Sequence, residues 1–122
     1  MQQNLFLEYQ ETEQENKKTT NIASVPQRSP FRYPGGKTWF VPVLRKWLKS
    51  KSNKPALLIE PFAGGGIISL TAIFENLAEK ALMVELDDQV AAVWQSIVEG
   101  HADWLINKIL TFELNKQNLS YE

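Results

Sequence analysis

The chain has 122 residues, no cysteine, and 13 basic against 14 acidic side chains, for a formal net charge of −1. This length bounds it to one domain or part of one, and the lack of cysteine excludes disulfides and cysteine-ligated zinc. The near-neutral balance excludes a global nucleic-acid footprint, and the lone His101 leaves too few soft ligands for a transition-metal site, so none is expected.

Met1 to Gln27 is rich in Gln, Glu, Asn, Lys and Thr, with few large apolar residues after Tyr9. It offers little to bury and reads as a mobile tail, residues 1–27, with a short helix conceivable over Leu5 to Glu13. No basic start followed by an apolar core marks a leader, and no apolar run reaches membrane-spanning length. The expectation is a soluble, cytoplasmic protein with no membrane partner.

The first dense signal is Pro30-Phe31-Arg32-Tyr33-Pro34-Gly35-Gly36-Lys37. Pro34 pushes Tyr33 towards extended geometry, and the glycine pair permits a tight turn. A helix is predicted next, with Phe40, Val43, Leu44, Trp47 and Leu48 on its inner face and Pro42 confined to its first turn. A lysine after a glycine pair at a helix start can present its ammonium to a carboxylate or a phosphate. The plain alternative is a simple loop with a solvated Lys37. Arg45, Lys46, Lys49, Lys51 and Lys54 follow as a local basic run, read as the solvated, dipole-complementing end of the helix.

Ala56 to Gly66 organises the rest: a short apolar run, Glu60, Pro61, Phe62, Ala63 and then Gly64-Gly65-Gly66. From Ile67 to Leu77, apolar residues at Ile67, Leu70, Ile73, Phe74 and Leu77 have the spacing of one helix face. Strand, glycine turn and helix open a doubly wound α/β domain. The glycines remove Cβ atoms that would hold a ligand off the backbone, and the amides at the helix start favour polar or anionic groups. The dinucleotide fingerprint is absent, because Ser69 stands where a third glycine belongs, which argues against a nicotinamide-dependent oxidoreductase. An acid before the glycines would repel a pyrophosphate and suits a ligand with hydroxyls or an ammonium. S-adenosylmethionine fits that description.

Lys80 to Glu85 is a second short apolar strand ending in an acid. Glu85 follows the glycine turn by about 20 residues, the separation at which an acid reaches a ribose in βαβ nucleoside sites. A further amphipathic helix is marked by Val90, Val93, Trp94, Ile97 and Val98, capped by Asp87 or Asp88 and ended by Gly100. His101-Ala102-Asp103 then starts a last helix through Trp104, Leu105 and Ile109. Trp94 reads as packing and His101 as a helix-start residue.

Taken in order, Pro30–Lys37, Glu60–Gly66 and Val84–Asp87 resemble the N-terminal motifs of the Dam-like (D12 class) DNA adenine-N6 methyltransferases. That family has a Phe…Gly-Gly-Lys motif near its start, here Phe31 to Lys37 with Arg32-Tyr33-Pro34 inside it. Its cofactor loop, Asp/Glu-Pro-Phe-x-Gly-x-Gly, stands here as Glu60-Pro61-Phe62-Ala63-Gly64-Gly65-Gly66. The resemblance covers roughly 29–110 and implies a partial Rossmann-like α/β fold, an incomplete parallel sheet with flanking helices. It implies S-adenosyl-L-methionine as cofactor, double-stranded DNA as partner, and methyl transfer to the N6 amine of adenine. It places Tyr33 and Lys37 at the methionine end, Glu60 near the methionine amino group, directly or through water, and Phe62, Gly64 and Gly66 in the floor. Glu85 would grip the ribose, and Asp87 would lie towards the adenine edge. A restriction–modification, phage or mobile-element origin is what the family implies.

The family also has an Asp/Asn-Pro-Pro-Tyr motif, and no two prolines are adjacent here. That motif accepts the hydrogens of a poorly nucleophilic exocyclic amine and stacks on a flipped base. No catalytic residue is therefore assigned. Only two parallel strands are predicted, Ala56–Glu60 and Ala81–Glu85, and their continuous apolar runs imply burial on both faces of a larger sheet. Two strands leave open edges. Residues 28–122 are accordingly expected to be the N-terminal part of a cofactor-binding domain, inactive alone. The alternative is a non-catalytic remnant or split subunit served by a complementing C-terminal chain.

Overall fold

A computed structural model describes residues 22–115 and 117. The helix conceived over Leu5 to Glu13 lies outside the described residues, as does most of the segment read as a tail. Of the remainder, Ile22–Ser24 form a 3₁₀ turn, and Val25 is buried in the hydrophobic core. The packed structure thus takes in Val25, a residue that the sequence reading leaves in the tail. The chain forms two compact units, the first closing at Glu85 and the second beginning at Leu86.

In the first unit, a 3₁₀ turn over Thr38–Phe40 leads into α1, Val41–Lys49, with Pro42 in its first turn, where no intrahelical donor is lost. Val41, Leu44 and Leu48 form its buried line. Trp47 is not on the inner face: it is exposed, with the Lys51 ammonium 5.2 Å from its ring centroid. It stands one residue before Leu48 and so is rotated by about 100° from the buried line, which puts it at the solvent edge.

Strand β1, Leu58–Pro61, pairs in parallel with β2, Ala81–Val84, in the register Leu58↔Ala81 to Pro61↔Val84. Between them runs α2, Ile67–Phe74. The unit is therefore one βαβ crossover, and the two strands make the whole sheet among the described residues. Burial on both strand faces is not realised here. Leu58 and Glu60 point to the core, whereas Ile59, Leu82 and Val84 are about half exposed.

α2 ends three residues before the predicted Leu77. Asn76 takes a left-handed φ of 55°, its N–H donates to the Ile73 carbonyl, and the Leu77 N–H donates to the Ala72 carbonyl. That paired return is a Schellman termination, with asparagine in the position glycine usually takes. The inward face also differs from the prediction. Ile67, Ile68, Ser69, Thr71 and Ala72 are buried, while Ile73 and Phe74 are exposed. A helix apolar almost all round carries no directional period, so polar partners set its rotation.

In the second unit, α3 spans Asp88–Val98 and α4 spans Ala102–Leu110. Asp87 is the cap: its Oδ1 accepts the N–H groups of Gln89 at 2.9 Å and Val90 at 3.2 Å. Trp94 is buried as expected, but Val98 is exposed. Gly100, at φ 92°, supplies the left-handed step after α3, and His101 stands at the N-cap of α4, where a helix start is predicted.

Candidate functional site

The site is built where β1 runs out. Phe62 follows the strand with a φ of 53°, a left-handed conformation costly for a non-glycine residue. Its side chain is exposed. The turn then closes through the Gly66 N–H on the Ala63 carbonyl at 2.8 Å, and Gly66, at φ 65°, becomes the N-cap of α2. An L side chain at that φ would be strained.

Glu60 points down from β1 and is 3% exposed. One carboxylate oxygen accepts from Lys37 Nζ at 2.8 Å, and the other accepts the Ser69 N–H at 2.8 Å. Lys37 donates also to the Phe62 carbonyl at 2.6 Å. Of the partners open to Lys37 from sequence, the carboxylate is the one realised. Ala63 N–H pairs with the Val84 carbonyl at 3.0 Å, and Gly64 N–H donates to Glu85 Oε2 at 2.6 Å. The parallel register thus carries the acid at the tip of β2 to the glycine turn.

A cavity of about 390 Å³ opens over this turn. Among the site residues predicted from sequence, Tyr33, Lys37, Phe62 and Gly64 line it; Glu60, Gly66 and Glu85 do not. Asp87 belongs to the second unit, where it caps α3. The lining also includes Ser29, Phe31, Arg32 and Trp39, which sequence reasoning leaves without a role. They flank the Gly-Gly-Lys turn on both sides, the one signal that could have drawn them in.

The glycines also make room for the chain itself. A Cβ on Gly64 would stand 2.6 Å from Tyr33 Cδ1, and one on Gly65 would stand 2.8 Å from Ser29 Oγ. The space they clear is filled by the chain's own 29–33 segment, which packs on the turn and becomes the pocket wall. Arg28 anchors that wall to α2, with Nη1 2.8 Å from Glu75 Oε1 and its guanidinium 5.7 Å from the Phe74 ring centroid. Arg45 of α1 binds the same carboxylate through Nε at 2.8 Å and through Nη2. The Arg45 hydrogen bonds, joined by that of Arg28, hold the Glu75 carboxyl down at about 2 against burial, which opposes them, and Glu75 in turn raises Arg45. Among the described residues no cluster of His, Cys, Asp and Glu is placed to hold a metal ion, and no helix is long and apolar enough to cross a membrane.

A parallel βαβ unit with a glycine turn at its strand tip, an acid on the neighbouring tip and a cavity over the turn defines a mixed α/β protein. The particular family follows from comparison. The model of the D12 class N6 adenine-specific DNA methyltransferases matches residues 33–122, and the chain belongs to that family. No curated protein and no solved structure matches it.

Proposed function

We propose that the chain carries the S-adenosyl-L-methionine-binding part of an adenine-specific DNA methyltransferase with a Rossmann-like fold, working on double-stranded DNA. The observation that carries this reading is the convergence of Tyr33, Lys37, Phe62 and Gly64 on one cavity, with Glu85 held on the same turn. The cavity volume of about 390 Å³ falls within the range of small-molecule sites. Tyr33, Phe62 and Trp39 give it aromatic walls, suited to an adenine ring or an apolar linker. Lysine has three N–H donors, and two meet Glu60 and Phe62, so one serves the ligand's carboxylate. The Glu85 carboxylate, beside Gly64, is of the type that accepts ribose hydroxyl protons. The ligand supplies the methyl group; the residues named here bind and orient it.

The test is equilibrium binding of the 122-residue chain to S-adenosylmethionine and, separately, to NADH by calorimetry. Saturable S-adenosylmethionine binding without NADH binding is expected. A folded chain that binds NADH alone, or neither, overturns the reading.

A second reading is favoured by the proline count. Six prolines stand in the chain and none is adjacent to another, so the Asp/Asn-Pro-Pro-Tyr groups that prepare the adenine amine come from sequence outside these residues. Where that sequence belongs to another polypeptide, the chain is a binding subunit, and adding the complementing chain restores transfer. Methyl transfer to DNA by the 122 residues alone would exclude this second reading.

A further inference from the structure

We infer that Glu60 is a positioning residue: it touches no ligand, and its buried carboxylate holds Lys37 and the start of α2 so that the lysine serves the cavity. The inference rests on the reading of the cavity as an S-adenosylmethionine site, and of the two expected placements of Glu60 near the methionine amino group, directly or through water, it departs from the direct one.

Three observations carry it. First, Glu60 is 3% exposed, more deeply buried than Glu85, whereas Lys37 and Phe62 line the cavity. Second, each Glu60 oxygen already has a donor at 2.8 Å, the Lys37 ammonium on one and the Ser69 amide on the other. A ligand ammonium approaching the first oxygen would meet like-charge repulsion from Lys37 on the way. Third, α2 has a glycine at its N-cap and so no side-chain oxygen of its own there. Glu60, reaching across from β1, supplies the missing acceptor and puts a negative charge at the positive end of the helix.

The consequence is mechanical. Lys37 bridges Glu60 and the carbonyl of Phe62, a residue held in left-handed backbone. One ammonium thereby ties the Gly35-Gly36 turn to the strand tip. Removing the Glu60 charge leaves Lys37 with a weaker acceptor and loosens both walls of the cavity at once, because a part-buried ion pair that loses one partner leaves the other poorly compensated.

The experiment compares Glu60→Gln, Lys37→Met and the double variant with the unmodified chain. Glutamine keeps a carbonyl oxygen for the Ser69 amide, so helix capping is preserved while the charge is removed. The first readout needs no ligand: acylation of each lysine by an amine-reactive ester, followed by mass spectrometry. Lys37 should react several-fold faster in Glu60→Gln, with Lys49 and Lys51 unchanged; no change at Lys37 overturns the inference. The second readout is affinity for S-adenosylhomocysteine, which keeps both ends of the cofactor and transfers nothing. Glu60→Gln should weaken binding about tenfold alone, the scale of a lost charge-assisted hydrogen bond, and should add nothing in the Lys37→Met background. An equal loss in both backgrounds means that Glu60 acts on the ligand directly, and overturns the inference. Should Glu60→Gln not fold, the neutral double variant is set against Lys37→Met: equal affinity supports the inference, and weaker affinity overturns it. If the unmodified chain binds no S-adenosylhomocysteine, the cofactor reading fails, while the acylation rates still decide whether Glu60 holds Lys37.

Discussion

Gly64 donates its amide proton to Glu85 Oε2 across 2.6 Å, joining the glycine turn to an acid 21 residues later in the chain. The contact follows from strand pairing: Pro61 stands opposite Val84 in the parallel register, and two residues on, the Ala63 amide binds the Val84 carbonyl. A one-residue slip would turn the acid to the other face of the sheet. Glu85→Ala should therefore weaken S-adenosylmethionine binding by about 1–3 kcal/mol, the scale of hydrogen bonds to a charged group. Glu85→Gln keeps an acceptor for Gly64 and should fold like the unmodified chain while still losing affinity. Calorimetric titration of both variants is the check, and unchanged affinity in folded Glu85→Ala would remove Glu85 from the ligand's surroundings.

Gly64 carries a second constraint. Its φ is 51°, and an added Cβ would lie 2.6 Å from Tyr33 Cδ1. Gly64→Ala should cost about 1–2 kcal/mol for the left-handed backbone alone, with a further cost for displacing the Tyr33 ring. In a Tyr33→Ala background only the backbone cost should remain. Urea midpoints for the four proteins of this cycle measure the coupling. A Gly64→Ala penalty that is the same in both backgrounds would mean that Tyr33 does not rest on the turn.

The difference between what the sequence disclosed and what it hid is physical. The strand–turn–helix unit, an aspartate cap at Asp87 or Asp88 and the Gly100 stop were legible because each depends on residues close in sequence. The rotation of α2 was hidden because Ile67-Ile68-Ser69-Leu70-Thr71-Ala72-Ile73-Phe74 has no polar side to read. Its orientation is fixed by Arg28 on Thr71 and by Glu60 on the Ser69 amide, partners 43 and 9 residues away in the chain. Lys37 was legible as a lysine able to meet a carboxylate or a phosphate, with a solvated side chain as the alternative, but that Glu60 would bind it could not be read from two motifs 23 residues apart. The same holds for the glycines. Their freedom was plain, yet the occupant of the space they clear, the 29–33 segment, is visible only in three dimensions.

The Arg28–Glu75–Arg45 cluster predicts a pH response. Glu75 is held at about 2 against an ordinary value of 4.5, first by its hydrogen bonds to Arg45. A carboxyl lowered by folding contributes stability that is fully present above its unfolded value and is lost as pH falls through the folded one. The contribution should therefore stand at pH 7, fade between about pH 5 and 2, and vanish below. Glu75→Gln should be less stable at pH 7 by about 1–3 kcal/mol, since two guanidinium groups lose their shared charge. The two urea-midpoint curves should converge as the pH approaches 2. Parallel curves across that window would show that the clamp contributes nothing that titrates.

Ser69 supplies the last prediction, one of opposite sign. Its side chain is 2% exposed, and its hydroxyl has no hydrogen-bond partner among the described residues. A buried hydroxyl without a partner costs about 1–3 kcal/mol relative to its hydrated state. The functional contact of this residue is made by its main-chain N–H to Glu60, which alanine keeps. Alanine is also the better helix former, and at this third position of α2 it removes the orphaned oxygen without creating a clash. Ser69→Ala should therefore raise the urea midpoint and leave ligand affinity unchanged. A fall in stability would show that the hydroxyl is satisfied in solution, with a trapped water as the simplest partner.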